Sequence, residues 1–325
     1  MQAILAVTVP FFALVLAGWL AARRGVLPES AIPGLNAYVL YFALPSLLLR
    51  FGMNTPVLEL LNPFVLVVYL LCALLVVFFT IAVSLNALVG LKDASFGALV
   101  AAFPNTGFMG VPLLVALLGP AAAGPLICTM LADLFVTSSL CIALSQLQGP
   151  QGAGQHGART AALRAVRGAL SNPLPWAIAL GAVLSGTSLR LPGPLDTVVG
   201  LLADSATPVA LFTIGAVLWR AGQHAHTRTP VGNYLPVALI KLLLHPLLVL
   251  LIGGAAQQLG APLSAFQLLV LTLAAAMPSA SSVAMLTERY GADSGRVARI
   301  IMASTVLALP TFSALAWLFG VRPGG

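Results

Sequence analysis

The chain has 325 residues, of which 60% are hydrophobic and only 7% are charged, with a net charge of +7. Soluble domains carry about 25% charged residues, so this composition excludes a soluble domain and indicates an all-α polytopic membrane protein. Nucleic-acid binding is excluded as well, because no stretch offers a charged face, and the net charge is attributed to arginines in loops.

Ten apolar stretches are long enough to cross a bilayer as helices. In chain order they are predicted at 3–22, 34–51, 63–90, 95–118, 122–147, 172–189, 195–219, 233–256, 264–287 and 295–319. No basic residue precedes the first stretch, so we expect a spanning helix there rather than a cleaved signal peptide. One long break, 148–171, is rich in Gly and Gln, contains His156 and Arg159, and is predicted to be a flexible linker.

The basic residues predict the orientation and the domain organisation. Most of the 15 Lys and Arg residues follow odd-numbered spans, and cytoplasmic loops carry such an excess. We therefore expect both termini outside and the linker in the cytoplasm. Five spans precede the linker and five follow it. Residues 172–325 would thus enter the membrane upside down relative to residues 1–147, as an inverted repeat.

Two of the spans contain residues that interrupt a helix. The fourth span includes Pro104, Gly110 and Pro112, and the ninth includes Pro278. Proline removes a helix hydrogen bond, and a broken backbone at membrane depth is tolerated only where protein or a water-filled cavity surrounds it. Broken helices at matching places in two halves of a chain indicate the binding site of a transporter.

The residues at these breaks resemble a known family. Pro-Asn-Thr-Gly-Phe-Met-Gly-Val-Pro-Leu-Leu at 104–114 is similar to the fourth-helix motif of the auxin efflux carrier family. Met-Pro-Ser-Ala-Ser-Ser-Val-Ala-Met-Leu-Thr-Glu-Arg-Tyr-Gly at 277–291 is similar to the ninth-helix region of that family. The family includes plant auxin exporters and bacterial permeases for malate or malonate. The resemblance extends over the whole chain in span count, length and linker position.

The resemblance implies ten transmembrane helices in two inverted five-helix repeats, with helices 4 and 9 broken and crossing at the substrate site. Helices 1, 2, 6 and 7 would form a scaffold, and helices 3–5 and 8–10 a transport unit that moves like an elevator. The substrate would be a small organic anion such as malate, malonate or an auxin-like acid. A bacterial inner-membrane location and a homodimer are also implied. Val283 stands where plant members have a second proline, so Pro278 alone would break the ninth helix.

Asn105 is the main candidate for substrate contact. Its amide offers donors and an acceptor at a helix break, and the start of a half-helix carries free N–H groups and partial positive charge suited to a carboxylate. Thr106 and Gly107 would expose that backbone. Alternatively, Asn105 only caps its own broken helix. Ser279 and Ser281 would contact the substrate from the ninth span, or would only allow close helix packing.

Ionisable residues inside a membrane span are costly and are therefore functional candidates. Lys241 and His245 share one face of the eighth span, and Lys241 would neutralise an anionic substrate or pair with an aspartate. Asp133 in the fifth span would bind a coupling proton or sodium ion, or would pair with Lys241. Asp204 in the seventh span would satisfy backbone groups freed by Pro208, or would act in transport.

The remaining polar and reactive residues are interpreted as structural. Cys72, Cys128 and Cys141 lie in apolar stretches without metal-ligand or disulfide spacing, so they are predicted to be buried, and neither a metal nor a cofactor is expected. The turn before the last span, with Glu288, Arg289, Asp293, Arg296 and Arg299, is predicted to be a solvated ion-pair network or an inner gate.

These features favour a secondary transporter of a small organic anion, with a proton or sodium ion as the expected coupling partner. A passive channel or a sensor is the alternative. An intramembrane hydrolase is disfavoured because neither Gly-x-Gly-Asp nor Gly-x-Ser-x-Gly surrounds the candidate aspartates and serines. The chain also lacks a Gly-x-x-x-x-Gly-Lys-Ser/Thr loop, so ATP-driven transport would need another subunit.

Overall fold

The computed structural model describes residues 1–55, 62–147, 160, 163–164, 166–187, 189–223 and 229–322. Within these ranges the regular structure is helical, and the β-type pairing consists of one isolated bridge. The expected all-α fold is therefore confirmed. Within the predicted linker 148–171, residues 148–159, 161–162 and 165 lie outside the described ranges, and these include His156 and Arg159.

The helices are numbered here by continuous helical run. Their bounds are α1 Gln2–Arg23, α2 Glu29–Asn54, α3 Pro63–Ser84, α4 Leu91–Ala102, α5 Thr106–Leu118, α6 Pro120–Ser145, α7 Pro173–Gly186, α8 Gly193–Gln223, α9 Leu235–Gln258, α10 Ala265–Ala275, α11 Ser282–Tyr290 and α12 Ser294–Leu318. Over the described residues, seven of them are long and apolar enough to cross a membrane: α1, α2, α3, α6, α8, α9 and α12. The chain is thus an integral membrane protein, as its composition indicates.

The predicted spans differ from the helices in three respects. The sixth span, 172–189, is the 14-residue helix α7, which is not one of the seven helices long enough to cross a membrane over the described residues. The fourth and ninth spans each form two shorter helices, α4 with α5 and α10 with α11, separated at the predicted breaks. The third span was predicted too long, because α3 ends at Ser84. There the Asn86 side chain accepts hydrogen bonds from the N–H groups of Leu88 and Val89, which fixes a turn in place of a further helical turn.

Helix starts follow from local sequence chemistry. Pro63 opens α3, where its missing N–H is not needed, and the Asn62 side chain accepts from the two following free N–H groups. The same Asn-Pro pair opens α7 at Pro173. A capping box, Ser264 with Gln267, starts α10. These caps fix where α3, α7 and α10 begin, whereas α5 and α11, which begin at the two breaks, have no side-chain cap.

Glycine permits two close helix crossings. In α8, a Cβ added to Gly215 would lie 1.8 Å from a carbonyl oxygen of α1, and one on Gly18 of α1 would lie 1.9 Å from a carbonyl oxygen of α8. In α7, a Cβ on Gly181 would lie 2.7 Å from a carbonyl oxygen of α2, close to Gly52. Backbones can approach this closely only where the side chain is absent. Hence α1 packs along α8, and α2 packs along α7.

The remaining helices form a second packed group. Helix α3 packs against α4, α6 and α9, and α9 packs against α10. Every residue of α4 from Ala94 to Ala102 is buried. Helix α12 contacts α4, α9 and α11 as well as α8. The two breaks therefore lie inside protein, as a broken backbone at membrane depth requires.

Candidate functional site

The two helix breaks meet and hydrogen-bond to each other. The N–H of Asn105 donates to the carbonyl of Pro278 at 2.8 Å, and the N–H of Ala280 donates to the carbonyl of Phe103 at 3.0 Å. Pro104 and Ser279 oppose each other as an antiparallel bridge. Neither proline is required as a donor in this pairing, so each one breaks its helix without weakening the bridge. The predicted meeting of Pro104 and Pro278 regions is thus seen in the structure.

Ser279 replaces the hydrogen bond that Pro104 cannot make. In an uninterrupted helix the carbonyl of Val100 would accept from the N–H four residues later, which proline lacks. Instead, the Ser279 hydroxyl donates to this carbonyl at 2.7 Å, and the N–H of Ser279 donates to Ser304 Oγ at 3.1 Å. Ser279 is 1% exposed. The Ser279 hydroxyl therefore joins the second break to the first. Because this hydroxyl already donates its proton, its oxygen can only accept a further hydrogen bond.

Lys241 donates to the carbonyl that is left free in the other broken helix. Because the N–H of Ser279 is bonded elsewhere, the carbonyl of Ala275 loses its usual helical partner. The Lys241 ammonium donates to that carbonyl at 2.6 Å. This places a buried cation at the carbonyl end of α10, where the helix dipole favours positive charge. A carbonyl freed near each break is thus satisfied by a side chain from another helix.

Asn105 does not cap its own helix with its side chain. Its backbone carbonyl accepts from the N–H groups of Met109 at 3.1 Å and Gly110 at 2.9 Å, which starts α5 with a π-helical turn. The side chain is 4% exposed, and its amide forms no hydrogen bond with the described residues. The alternative interpretation of Asn105, a side-chain cap of its own broken helix, is therefore not seen in the structure.

The rest of the first α5 turn is equally enclosed. The Thr106 hydroxyl is fully buried and has no hydrogen-bond partner among the described residues. Gly107 borders Met130 of α6, and a Cβ on Gly110 would come into contact with the Thr106 side chain at 3.4 Å. Pro112 is buried in the regular helix that follows. Ser281, 7% exposed, lies in the second break, two residues after the bridge residue Ser279, without a side-chain hydrogen bond to the described residues.

A polar cluster lies beside the second break, where α3, α6 and α9 meet. Tyr69 donates to one Asp133 oxygen at 2.7 Å, and Thr137 donates to the other at 3.0 Å. Lys241 Nζ lies 3.3 Å from His245 Nδ1, and the rings of His245 and Tyr69 are 5.7 Å apart. All five side chains are fully buried. The three ionisable residues predicted in spans five and eight are thus brought together.

The arrangement within this cluster differs from a direct ion pair. Among the described residues, the ion pair within 4.0 Å joins Arg50 to Asp204 and does not include Asp133 or Lys241. Asp133 is linked towards Lys241 through neighbours, because Tyr69 donates to Asp133, the Tyr69 and His245 rings are 5.7 Å apart, and Lys241 Nζ lies 3.3 Å from His245 Nδ1. Both residues sit in π-helical turns, Asp133–Thr137 and Ile240–Leu244, which are frequent at functional sites.

Asp204 is not brought to the site. Its carboxylate is 68% exposed and pairs with Arg50 at 2.7 Å, joining α8 to α2. Pro208 lies inside the unbroken helix α8, so the proposed contact of Asp204 with freed backbone is absent from the described structure. A neighbouring hydrogen bond, Tyr38 to Ser205 at 2.7 Å, joins the same two helices.

The sequence did not predict the burial of Arg296 or its hydrogen-bond partners. It is 2% exposed instead of solvated. Its guanidinium donates to the carbonyls of Asn233 and Asp93, each at 2.8 Å, and to Ser84 Oγ at 3.3 Å. The signal in the sequence is Gly97, where a Cβ would lie 2.6 Å from this guanidinium. Arg296 therefore fastens the start of α12 to α3, α4 and the residues before α9.

The hydrogen bond from the Ser279 hydroxyl to the carbonyl of Val100 gives a testable expectation for stability. We expect Ser279→Ala to lower the free energy of unfolding by about 1–3 kcal/mol, because it leaves the buried carbonyl of Val100 without a donor. Ser171→Ala removes a similar hydroxyl-to-carbonyl bond, 2.8 Å long but exposed, and should change stability by less than about 0.5 kcal/mol. Denaturant unfolding of the purified variants measures both. Equal effects of the two substitutions would contradict the role given to Ser279.

Comparison with known proteins places the chain among transporters. A family model described as "Membrane transport protein" matches residues 3–316. A putative malonate transporter of Rhizobium meliloti is 29% identical over 331 residues, covering 100% of this chain and 98% of the relative. The uncharacterized transporter YfdV of Escherichia coli is 26% identical over 230 residues, 71% of this chain and 69% of its own. An uncharacterized transporter of Methanothermobacter thermautotrophicus is 27% identical over 298 residues, covering 91% and 92%.

Proposed function

Since the chain belongs to the membrane transport protein family, whose model spans residues 3–316, we propose that it is a secondary transporter of a small dicarboxylate such as malonate or malate. The predicted membership of the auxin efflux carrier family is confirmed by this match. The name of the Rhizobium meliloti relative supports a malonate-like substrate. Family and relatives point to transport rather than to catalysis.

The observation that carries the proposal is the crossing of two broken helices with free polar groups beside it. The Asn105 amide and the Thr106 hydroxyl are buried without partners among the described residues, at the first turn of α5. A helix start favours an anion through its free N–H groups and its dipole. In this account the Asn105 side-chain amide, the Thr106 hydroxyl and the backbone at Gly107 bind the carboxylate, since the N–H groups of Asn105 and Thr106 already donate to the carbonyls of Pro278 and Pro104. Ser281 contacts it from the other break, and Ser279 supports it mainly through structure.

The halves 1–147 and 172–325 are proposed to be inverted repeats. Each half contains helices in the same order: long, long, long, broken pair, long, except that α7 is short. Gly18 with Gly181 and Gly52 with Gly215 are separated by the same number of positions, and so are Pro45 and Pro208. The four glycines occupy the two close crossings, α1 with α8 and α7 with α2. A repeated sequence position at a repeated structural position supports a common ancestor for the halves.

The packing also supports the division into two moving parts. Helices α1, α2, α7 and α8 hold one another through the glycine crossings, and we propose them as the scaffold. Helices α3–α6 and α9–α12 are proposed as the transport unit. The first turn of α5 contacts α8, and Asn36 of α2 reaches Met285 of α11 at 3.8 Å. Both broken helices thus touch the scaffold, where an elevator-like shift would expose the site alternately to each side.

The polar cluster is proposed to compensate charge during transport. Lys241 supplies a buried positive charge next to the second break, and Asp133 with His245 supplies groups that exchange protons. A proton or a sodium ion at Asp133 would balance a dicarboxylate crossing the membrane. The orientation, with both termini outside and residues 148–171 in the cytoplasm, remains a proposal based on the basic residues.

Transport by reconstituted protein tests the function. We expect saturable uptake of radiolabelled malonate into liposomes, inhibited by malate and insensitive to glucose. Liposomes preloaded with unlabelled malonate should take up the label faster, because a carrier returns loaded more readily than empty. A passive channel would give uptake that does not saturate and no acceleration. Folded protein that takes up none of malonate, malate and indole-3-acetate would overturn the proposed substrate class.

A further inference from the structure

A separate cavity of about 480 Å³ lies at one side of the molecule, away from the crossing of the breaks. It is an open cavity bordered by three parts of the chain: Tyr41 in α2, the residues just before and at the start of α7, and Arg289 near the end of α11. Three arginines line it, Arg164, Arg167 and Arg289, together with the polar residues Ser171 and Asn172. Its position and lining distinguish it from the candidate transport site.

The three arginines are uncompensated in the described structure. No aspartate or glutamate lines the cavity. Among the described residues, none of the three guanidinium groups forms an ion pair or a side-chain hydrogen bond. Guanidinium groups bind phosphate oxygens in a fork-like, two-point geometry. A cavity that gathers three such groups without a carboxylate is suited to an anionic phosphate group.

The border of the cavity is apolar and exposed. Tyr41 is 57% exposed and Trp176 is 61% exposed, and Leu163 and Leu170 are exposed beside the arginines. The Trp176 indole N–H donates to the carbonyl of Leu170 at 2.6 Å, and Leu170 lies in the chain between the cavity-lining residues Gly168 and Ser171. Exposed aromatic and aliphatic side chains next to cations are typical of the lipid–water interface. A soluble anion would leave these side chains in water, whereas acyl chains would cover them.

The charge distribution of the chain indicates that the cavity lies on the predicted cytoplasmic side of the membrane. Arg164, Arg167 and Arg289 follow odd-numbered spans, and so they belong to the side that carries most of the basic residues. The cytoplasmic leaflet is the one that anionic lipids make negative. We propose that this arginine cavity binds the headgroup of one anionic phospholipid, with its acyl chains over the neighbouring apolar surface. The inference does not depend on which substrate the protein transports.

Lipid titration of the purified full-length chain in detergent, followed by native mass spectrometry, tests the proposal. Phosphatidylglycerol should bind at a lower concentration than phosphatidylcholine, and the first bound phosphatidylglycerol should be the tight one. Replacement of all three arginines, in Arg164→Gln/Arg167→Gln/Arg289→Gln, should weaken that first binding by about tenfold or more, since each basic residue near the surface contributes to the attraction. Equal binding of the two lipids by the wild type would overturn the proposal.

A matched control separates the cavity from general charge. Arg23→Gln/Arg24→Gln/Lys92→Gln removes the same number of charges on the same predicted side and should leave the first phosphatidylglycerol bound as in the wild type. A loss as large as in the cavity variant would contradict a specific site.

Inorganic phosphate and malonate are added as competitors. Displacement of phosphatidylglycerol by millimolar phosphate would assign the cavity to a free anion, and displacement by malonate would assign it to the transport path; either result contradicts a lipid site. Malonate uptake is measured separately, so failure of one test leaves the other intact.

Discussion

Asn105→Ala is expected to abolish saturable malonate uptake while the protein still folds and inserts. The Asn105 side-chain amide forms no hydrogen bond with the described residues, so its removal breaks no hydrogen bond that supports the fold. In the bound state it would hydrogen-bond a carboxylate, and a bond to a charged group contributes about 1.5–3 kcal/mol. Affinity for malonate should therefore fall by roughly 10- to 100-fold. Uptake into liposomes and equilibrium binding of radiolabelled malonate measure the two effects.

The matched control is Asn86→Ala, because Asn86 lies in a turn away from the breaks. Its loss should lower stability slightly and leave the affinity for malonate unchanged. If Asn105→Ala keeps the affinity and the uptake rate of the wild type, the amide is not a substrate contact. The binding site would then have to be moved away from the first turn of α5.

Lys241→Met is expected to have the largest effect on stability as well as on transport. The methionine side chain fills nearly the same space but leaves the carbonyl of Ala275 without its 2.6 Å donor. It also removes the amine that lies 3.3 Å from His245 Nδ1 in the polar cluster that includes Asp133. Leaving a buried polar group without its partner costs about 1–3 kcal/mol, and more for a charged group. We expect a large drop in the free energy of unfolding, and no malonate uptake from the protein that remains folded.

A double-substitution cycle distinguishes the loss of the donor to the Ala275 carbonyl from the loss of a positive charge near Asp133. In Asp133→Asn/Lys241→Met no uncompensated buried charge is left, so the double variant should recover part of the stability lost in Lys241→Met. Strictly additive effects would show that Asp133 and Lys241 do not interact. Recovery of stability without recovery of uptake would separate the structural contribution of the lysine from its contribution to transport.

The sequence predicted the helices and the place of the breaks because both depend on local chemistry. Apolar length and short polar loops are enough to identify spanning helices. Pro104 and Pro278 interrupt a helix whatever surrounds them. Asn105 stood out because a polar amide next to such a break has few structural reasons to be there. The burial of Asp133, Lys241 and His245 followed from the apolar stretches around them.

What the sequence did not predict depends on contacts between distant residues. Nothing near Ser279 indicates that its hydroxyl bonds the carbonyl of Val100 in the other half of the chain. Arg296 belongs to a charged turn and was expected in solvent, yet Gly97 of α4 makes room for its guanidinium. Asp204 lies in an apolar span, but its helix face and Arg50 decide that it stays at the surface. A charged residue's environment is thus set by the neighbouring helix as much as by its own.

Substrate protection of a cysteine placed at the crossing tests the central claim most directly. Cys72, Cys128 and Cys141 are all 1% exposed or less, so they give little background with a water-soluble thiol reagent. Ser281→Cys, once shown to take up malonate, should react with such a reagent and be protected by saturating malonate. Leu259→Cys, at a position 88% exposed, should react equally fast with and without malonate. Malonate that is transported by the Ser281→Cys variant but does not slow its labelling would contradict a substrate site at the crossing of the two broken helices.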